Sequence, residues 1–131
     1  MLKEIAAKYY NDGRNCAEAL LMAANEQYKL GLTDENIHLV GAFGGGMGCG
    51  STCGALCGMI AALGAMRIST TAHETEGLRD ESAALVKAFE EKLGSKECEK
   101  LMELYKTPET RCVRTVELAA EVFEAFLADK Q

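Results

Sequence analysis

The chain has 131 residues, a formal net charge of -6 and a pI near 5.0, one domain's worth of sequence with room for a single core of ordinary size. One proline, no tryptophan and an abundance of Ala, Leu, Glu and Lys make a helix-former's composition, so the expected fold is all-α. The acidic balance supplies no basic stripe of the kind that neutralises phosphates, which argues against nucleic acid or an anionic membrane surface as a partner.

Leu2, Ile5, Ala6 and Tyr9 recur at helical spacing and stop at the turn signal Asn11-Asp12-Gly13. Asn15 then reads as an N-cap with Glu18 three residues on, followed by an apolar stripe of Cys16, Ala19, Leu20, Ala23 and Ala24. Gly31 is expected to close that helix, and Thr33 to open the next with acids in its first turn.

Residues 36–66 carry no Asp, Glu, Lys or Arg, while both flanks are dense in Lys and Glu, which marks this stretch as interior. Nine of the thirteen glycines and three of the six cysteines lie between positions 41 and 66. Residues 44–50 should unwind the chain, and Ser51 or Thr52 should cap a central helix running to Met66. On that helix Cys53, Cys57, Ala61 and Ala65 share one face, and Gly54, Gly58 and Ala62 the next. Such glycines, at about 1 kcal/mol each in helix propensity, fit a place where a neighbouring backbone must come close. A first-turn Cys53 would have its thiolate stabilised by the helix N-terminus, which makes it the most reactive candidate, with Cys49 or Cys57 within reach. The apolar part, residues 55–66, is twelve residues long, short of the ~20 that a membrane-spanning helix takes.

Leu78, Leu85, Val86, Phe89 and Leu93 mark a long amphipathic helix ended by Gly94. Ser95 is a cap for a short helix in which Cys98, Leu101, Met102 and Tyr105 share one side. Thr107-Pro108-Glu109 reads as the start of the last helix, whose stripe of Cys112, Val116, Ala119, Ala120, Phe123, Phe126 and Leu127 is the clearest in the chain. With neither internal repeat nor convincing strand, the expectation is a single domain over residues 1–131, one compact bundle of about six helices around a central Gly/Cys-rich helix.

The N-terminus, Met1-Leu2-Lys3-Glu4-Ile5, puts charges where a secretory signal would be apolar, so a reducing cytoplasm is the expected location. Six cysteines there are not readily structural disulfides, which directs attention to metal binding or redox chemistry. A buried free Cys also packs as a small hydrophobe, and each of the six taken alone fits that role. The spacing Cys49-x3-Cys53-x3-Cys57 matches neither a thioredoxin-type Cys-x2-Cys nor ordinary zinc-knuckle spacing. Residues 44–58 match no phosphate-binding glycine loop, and no strand precedes them. His38 and His73 are isolated, so hydrolytic chemistry has no visible support.

Asn15-Cys16-Ala17 heads an early helix, Phe43-Gly44-Gly45-Gly46-Met47-Gly48 leads into Thr52-Cys53-Gly54-Ala55-Leu56-Cys57-Gly58, Cys98 precedes Leu101, and Cys112 precedes Val116, Ala119 and Ala120. In order and spacing these residues resemble the C_GCAxxG_C_C family of small helical redox-active proteins over nearly the whole chain. The central motif here reads Cys-Gly-Ala-x-x-Gly, which differs in letter order from the family label. The resemblance implies that Cys16, Cys53, Cys98 and Cys112 are the family's four cysteines, with Gly54, Ala55 and Gly58 as the backbone beside any cofactor. Cys49 and Cys57 are then extras to the site.

Two mechanisms suit inward thiols on different helices. They ligate an iron-sulfur cluster or another metal and pass electrons to a redox partner protein, or they cycle between dithiol and disulfide with Cys53 attacking. Similarity to a domain associated with multihaem cytochromes favours the cluster, although the chain has no Cys-x-x-Cys-His for an attached haem. A third reading is a structural or binding module with Cys-bound zinc or no ligand. Small glycine-rich faces are also compatible with a homodimer.

Overall fold

The computed structural model describes residues 1–129 and is all-helical. Its seven α-helices are α1 (Leu2–Asn11), α2 (Cys16–Tyr28), α3 (Asp34–His38), α4 (Gly54–Arg67), α5 (Leu78–Leu93), α6 (Cys98–Tyr105) and α7 (Val113–Asp129). The count is one above the expected six or so. Between α3 and α4 the chain makes a 3-10 turn, Gly41–Phe43, and a wide π-type turn, Gly46–Gly50.

The predicted caps at two helix starts are present. Asn15 accepts from the Glu18 amide at 3.0 Å while the Glu18 carboxylate accepts from the Asn15 amide at 3.0 Å, a reciprocal capping box. Thr33 and Asn36 form a second one. Four expectations about helix ends are corrected. Ser95 does not cap α6, whose N-cap position is held by Glu97, and the Ser95 Oγ accepts from the Glu97 amide at 3.0 Å. At the end of α2 the left-handed residue is Lys29, φ 54, two positions before Gly31. Neither Ser51 nor Thr52 caps α4, because Thr52 is taken by an antiparallel bridge to Glu97 and Cys53 occupies the N-cap position. Finally, α7 begins at Val113 and not at Pro108, because Thr107 and Arg111 bond each other's backbone and hold residues 107–111 in a turn.

The core forms where α4 lies against α2, α5 and α7, with α1 seated on α2 and α7. Phe89, Phe123, Leu56, Met59, Leu63 and Leu85 are buried there, and Tyr28 meets Phe123 edge-on with ring centroids 6.3 Å apart. No helix among the described residues is long and apolar enough to cross a membrane.

The two motif glycines of α4 set how closely α2 approaches. A Cβ at Gly58 would lie 2.5 Å from the Ala17 carbonyl oxygen and 3.1 Å from Leu20 Cβ. One at Gly54 would lie 2.6 Å from Cys16 Sγ and 2.9 Å from the Phe43 carbonyl oxygen. Backbone atoms cannot yield as a flexible side-chain tip can, so the glycine stripe read from the sequence is a steric requirement. Gly58→Ala should therefore lower unfolding stability by about 1–3 kcal/mol, the usual cost of overpacking a tight interface. Gly64→Ala, where the nearest atom is Ile68 Cδ1 at 3.7 Å, should raise it by about 0.5–1 kcal/mol through helix propensity. Urea denaturation of both variants checks the pair, and equal effects would contradict the close-approach role.

Candidate functional site

Four devices bring distant cysteines to one end of the bundle. The first is the α2 start: Asn15 Nδ2 donates to the Gly41 carbonyl at 2.8 Å, and Gly44 lies against the Asn15 side chain with no space for a Cβ. Cys16, the first residue of α2, is thereby fixed against the glycine-rich turn and Gly54.

The second device is that turn itself. Gly45, Gly46, Met47 and Gly48 all have positive φ, from 63° to 73°, a left-handed run that only glycine adopts without cost. It wraps so tightly that a Cβ on Gly46 would lie 2.5 Å from Cys98 Cβ.

The third device joins Cys53 to Cys98. The Cys53 amide donates to the Lys96 carbonyl at 2.8 Å and the Cys98 amide to the Ser51 carbonyl at 2.6 Å, flanking the Thr52 to Glu97 bridge. The fourth positions Cys112, whose amide donates to the Tyr10 hydroxyl at 3.1 Å, while the Arg111 guanidinium lies 4.9 Å above the Tyr10 ring.

Cys16, Cys98 and Cys112 line one cavity of about 250 Å³, together with Tyr10, Gly45 and Met102. Cys53 does not line it but is buried close by, 3% exposed, where the charges of Cys16 and Cys98 act on it. All six cysteines are free thiols.

Electrostatics ties the set together. Burial, followed by the neighbouring Cys16 thiolate, pushes the Cys53 thiol up to about 12, against the lowering influence of the Leu56 and Ala55 amides. Burial also raises Cys16, which Cys112 raises further and the Gly45 amide lowers. Cys98 is raised by burial, then by Cys16 and Cys112, with Lys106 acting the other way. Cys16 is thus felt by Cys53, Cys57 and Cys98 alike. The expectation that a helix N-terminus would make Cys53 the most reactive thiol is overturned. The helix-end amides are there, but desolvation outweighs them.

The remaining candidates stand apart. Cys57 faces a separate apolar cavity of about 460 Å³ beside Phe43, Leu56, Ile60 and Val86. Cys49 is exposed, its Sγ 3.6 Å from the Gly46 carbonyl. Ala55 and Gly54 lie by the thiols, whereas Gly58 serves the α2 contact. Among the described residues no three His, Cys, Asp or Glu side chains are grouped closely enough to hold a single metal ion. Sequence reasoning passed over Tyr10, Arg14, Lys106 and Arg111, all of which line the cavity. A basic residue beside or two positions before a cysteine, Arg111-Cys112 and Arg14-x-Cys16, was the available signal.

The fold and site define a small helical protein with a cysteine-lined cavity held by a glycine-rich turn. The chain belongs to the C_GCAxxG_C_C family, described as putative redox-active protein, whose model matches residues 14–126. No curated protein and no solved structure matches the chain.

The raised Cys53 thiol carries a pH signature. It stays protonated in the folded chain where an unfolded thiol ionises near pH ~8.5, so its contribution is fully present below that pH and is lost as pH rises toward about 12. Unfolding stability should fall across that window with a slope of about 1.4 kcal/mol per pH unit from this one proton. Cys16 and Cys98 act with the same sign. Chemical denaturation of Cys53→Ala should show a shallower alkaline decline than the parent chain, and superimposable profiles would contradict the buried thiol.

Proposed function

We propose that this is an electron-transfer protein in which Cys16, Cys53, Cys98 and Cys112 are the ligands of an iron-sulfur cluster. The observation that carries the reading is that Cys16, Cys98 and Cys112, from three separate segments of chain, line one cavity, with Cys53 buried where Cys16 and Cys98 act on it. Their electrostatics agrees with it. Burial and the neighbouring thiols raise Cys16, Cys53 and Cys98, which makes these three poor nucleophiles, whereas a cationic metal reverses the balance and takes them as thiolates.

We place the cluster ahead of zinc because tetrahedral zinc needs all its sulfurs about 2.3 Å from one point, a closer grouping than the described side chains have. A cluster divides its four cysteines among more than one iron, which suits sulfurs arranged around a space. When bound, it would supply one-electron transfer. The chain's own part is to bury the sulfurs and to direct the amides of Gly45 at Cys16 and of Ala55 and Leu56 at Cys53, contacts that tune a cluster's potential.

Metal-free thiol and disulfide cycling is the second reading, favoured by the backbone bridge that holds Cys53 beside Cys98. In that case Cys53 is the resolving thiol, because its raised pKa unsuits it for attack. Purification under strict exclusion of oxygen separates the two. The cluster reading expects brown protein with stoichiometric iron and acid-labile sulfide, bleached by Cys98→Ser or Cys112→Ser and unaffected by Cys49→Ser. Colourless, iron-free protein with a reversible two-electron thiol couple would overturn it in favour of exchange.

A further inference from the structure

Arg14, Lys106 and Arg111 stand around the cavity that Cys16, Cys98 and Cys112 line. A second depression of about 410 Å³ opens beside it and shares Met102, Lys106 and Arg111, so the two are adjoining parts of one hollow surface. No Asp or Glu lines either part. Among the described residues none of the three cations is in a salt bridge, although the chain as a whole carries a net charge of -6. A local reversal of sign is therefore built where Cys16, Cys98 and Cys112 line the cavity, and field lines are focused by such a concavity.

Arg111 adds a backbone observation. Its φ of 54° is left-handed, a conformation that is strained for a non-glycine residue. The turn that imposes it, with the Arg111 amide donating to the Thr107 carbonyl at 2.7 Å, presents the guanidinium over Tyr10 at the mouth of the cavity.

We propose that this hollow takes a small anionic reaction partner, its acid group held by Arg14, Lys106 and Arg111 and its reactive end turned toward Cys16, Cys98 and Cys112. Guanidinium and ammonium groups lining a hollow that has no carboxylate of its own match a carboxylate, a phosphate or a sulfur oxyanion, with Arg14 also bordering a separate depression that holds Asp34 and Glu35. The cations line the concavity itself, and its size is that of a small-molecule site, so the occupant is a small molecule and not an acidic protein surface. The inference deepens the redox reading by naming the partner class. It rests on that reading for the word reaction, but not on which cofactor the cysteines hold.

Its test needs no cofactor. Reduced, metal-free protein is alkylated at mildly alkaline pH with iodoacetate, an anion, and with neutral iodoacetamide, and each cysteine is read by mass spectrometry. Cys49, exposed and outside both depressions, is the control within the same chain. The iodoacetate to iodoacetamide rate ratio at Cys98 and Cys112 should exceed that at Cys49 and fall about two- to fivefold for each of Arg14→Gln and Lys106→Gln, the size of one screened charge interaction. Lys106→Arg should restore it. A role confined to stabilising thiolates would instead slow both reagents equally and leave the ratio unmoved, which overturns the proposal. Sulfate and succinate at matched ionic strength tell an oxyanion head from a carboxylate by which one slows iodoacetate, and protection by neither also overturns it. Colourless protein that keeps the ratio would sink the cluster alone, whereas iron-loaded protein without it would sink the anion site alone.

Discussion

The close contact of α2 with α4 is the constraint on which the rest depends. With Gly54 and Gly58 facing Ala17, Leu20 and Cys16, the two helices approach until backbone meets backbone, and the first sulfur of α2 rests against the first turn of α4. A methyl group at either glycine would need an atom of the neighbouring chain to move by several tenths of an ångström. The Cys-Gly-Ala-x-x-Gly motif is in this sense a packing rule first. It fixes where Cys16 stands relative to Cys53, and only then does the glycine-rich turn bring Cys98 alongside.

The site is a balance of desolvation against hydrogen bonding. Amides from the start of α4 and from the positive-φ turn point at sulfur, the arrangement that elsewhere activates thiols. Here burial and the crowding of like groups win, and Cys16, Cys53 and Cys98 are all raised. The exposed basic residues Arg14, Lys106 and Arg111 line the same cavity as Cys16, Cys98 and Cys112.

Much of the fold was legible because helix signals are local. The caps at Asn15 and Thr33, the stop at Gly94 and the core stripe of α7 each follow from a few neighbouring residues. Errors fell where a non-local bond took over. Thr52 was lost as a cap to its bridge with Glu97, and Pro108 failed to start α7 because the Thr107 to Arg111 turn claimed that stretch. The cysteine set followed from family resemblance, since spacing alone could not rank Cys53 above Cys57. Tyr10, Lys106 and Arg111 left no periodic mark, and only the assembled fold joins α1 to the head of α7. The reactivity of Cys53 was misjudged because a sequence reveals a helix start but not how much water reaches it.

The convergence of Cys16, Cys53, Cys98 and Cys112 is the central claim, and phenylarsine oxide measures it directly, since its arsenic is held stably only by two neighbouring thiols. Native mass spectrometry of the reduced chain should find one arsenical per molecule, weakened by Cys16→Ser, Cys98→Ser or Cys112→Ser and unchanged by Cys49→Ser or Cys57→Ser. No adduct, or one that depends on Cys49 and Cys57 instead, would contradict the shared site.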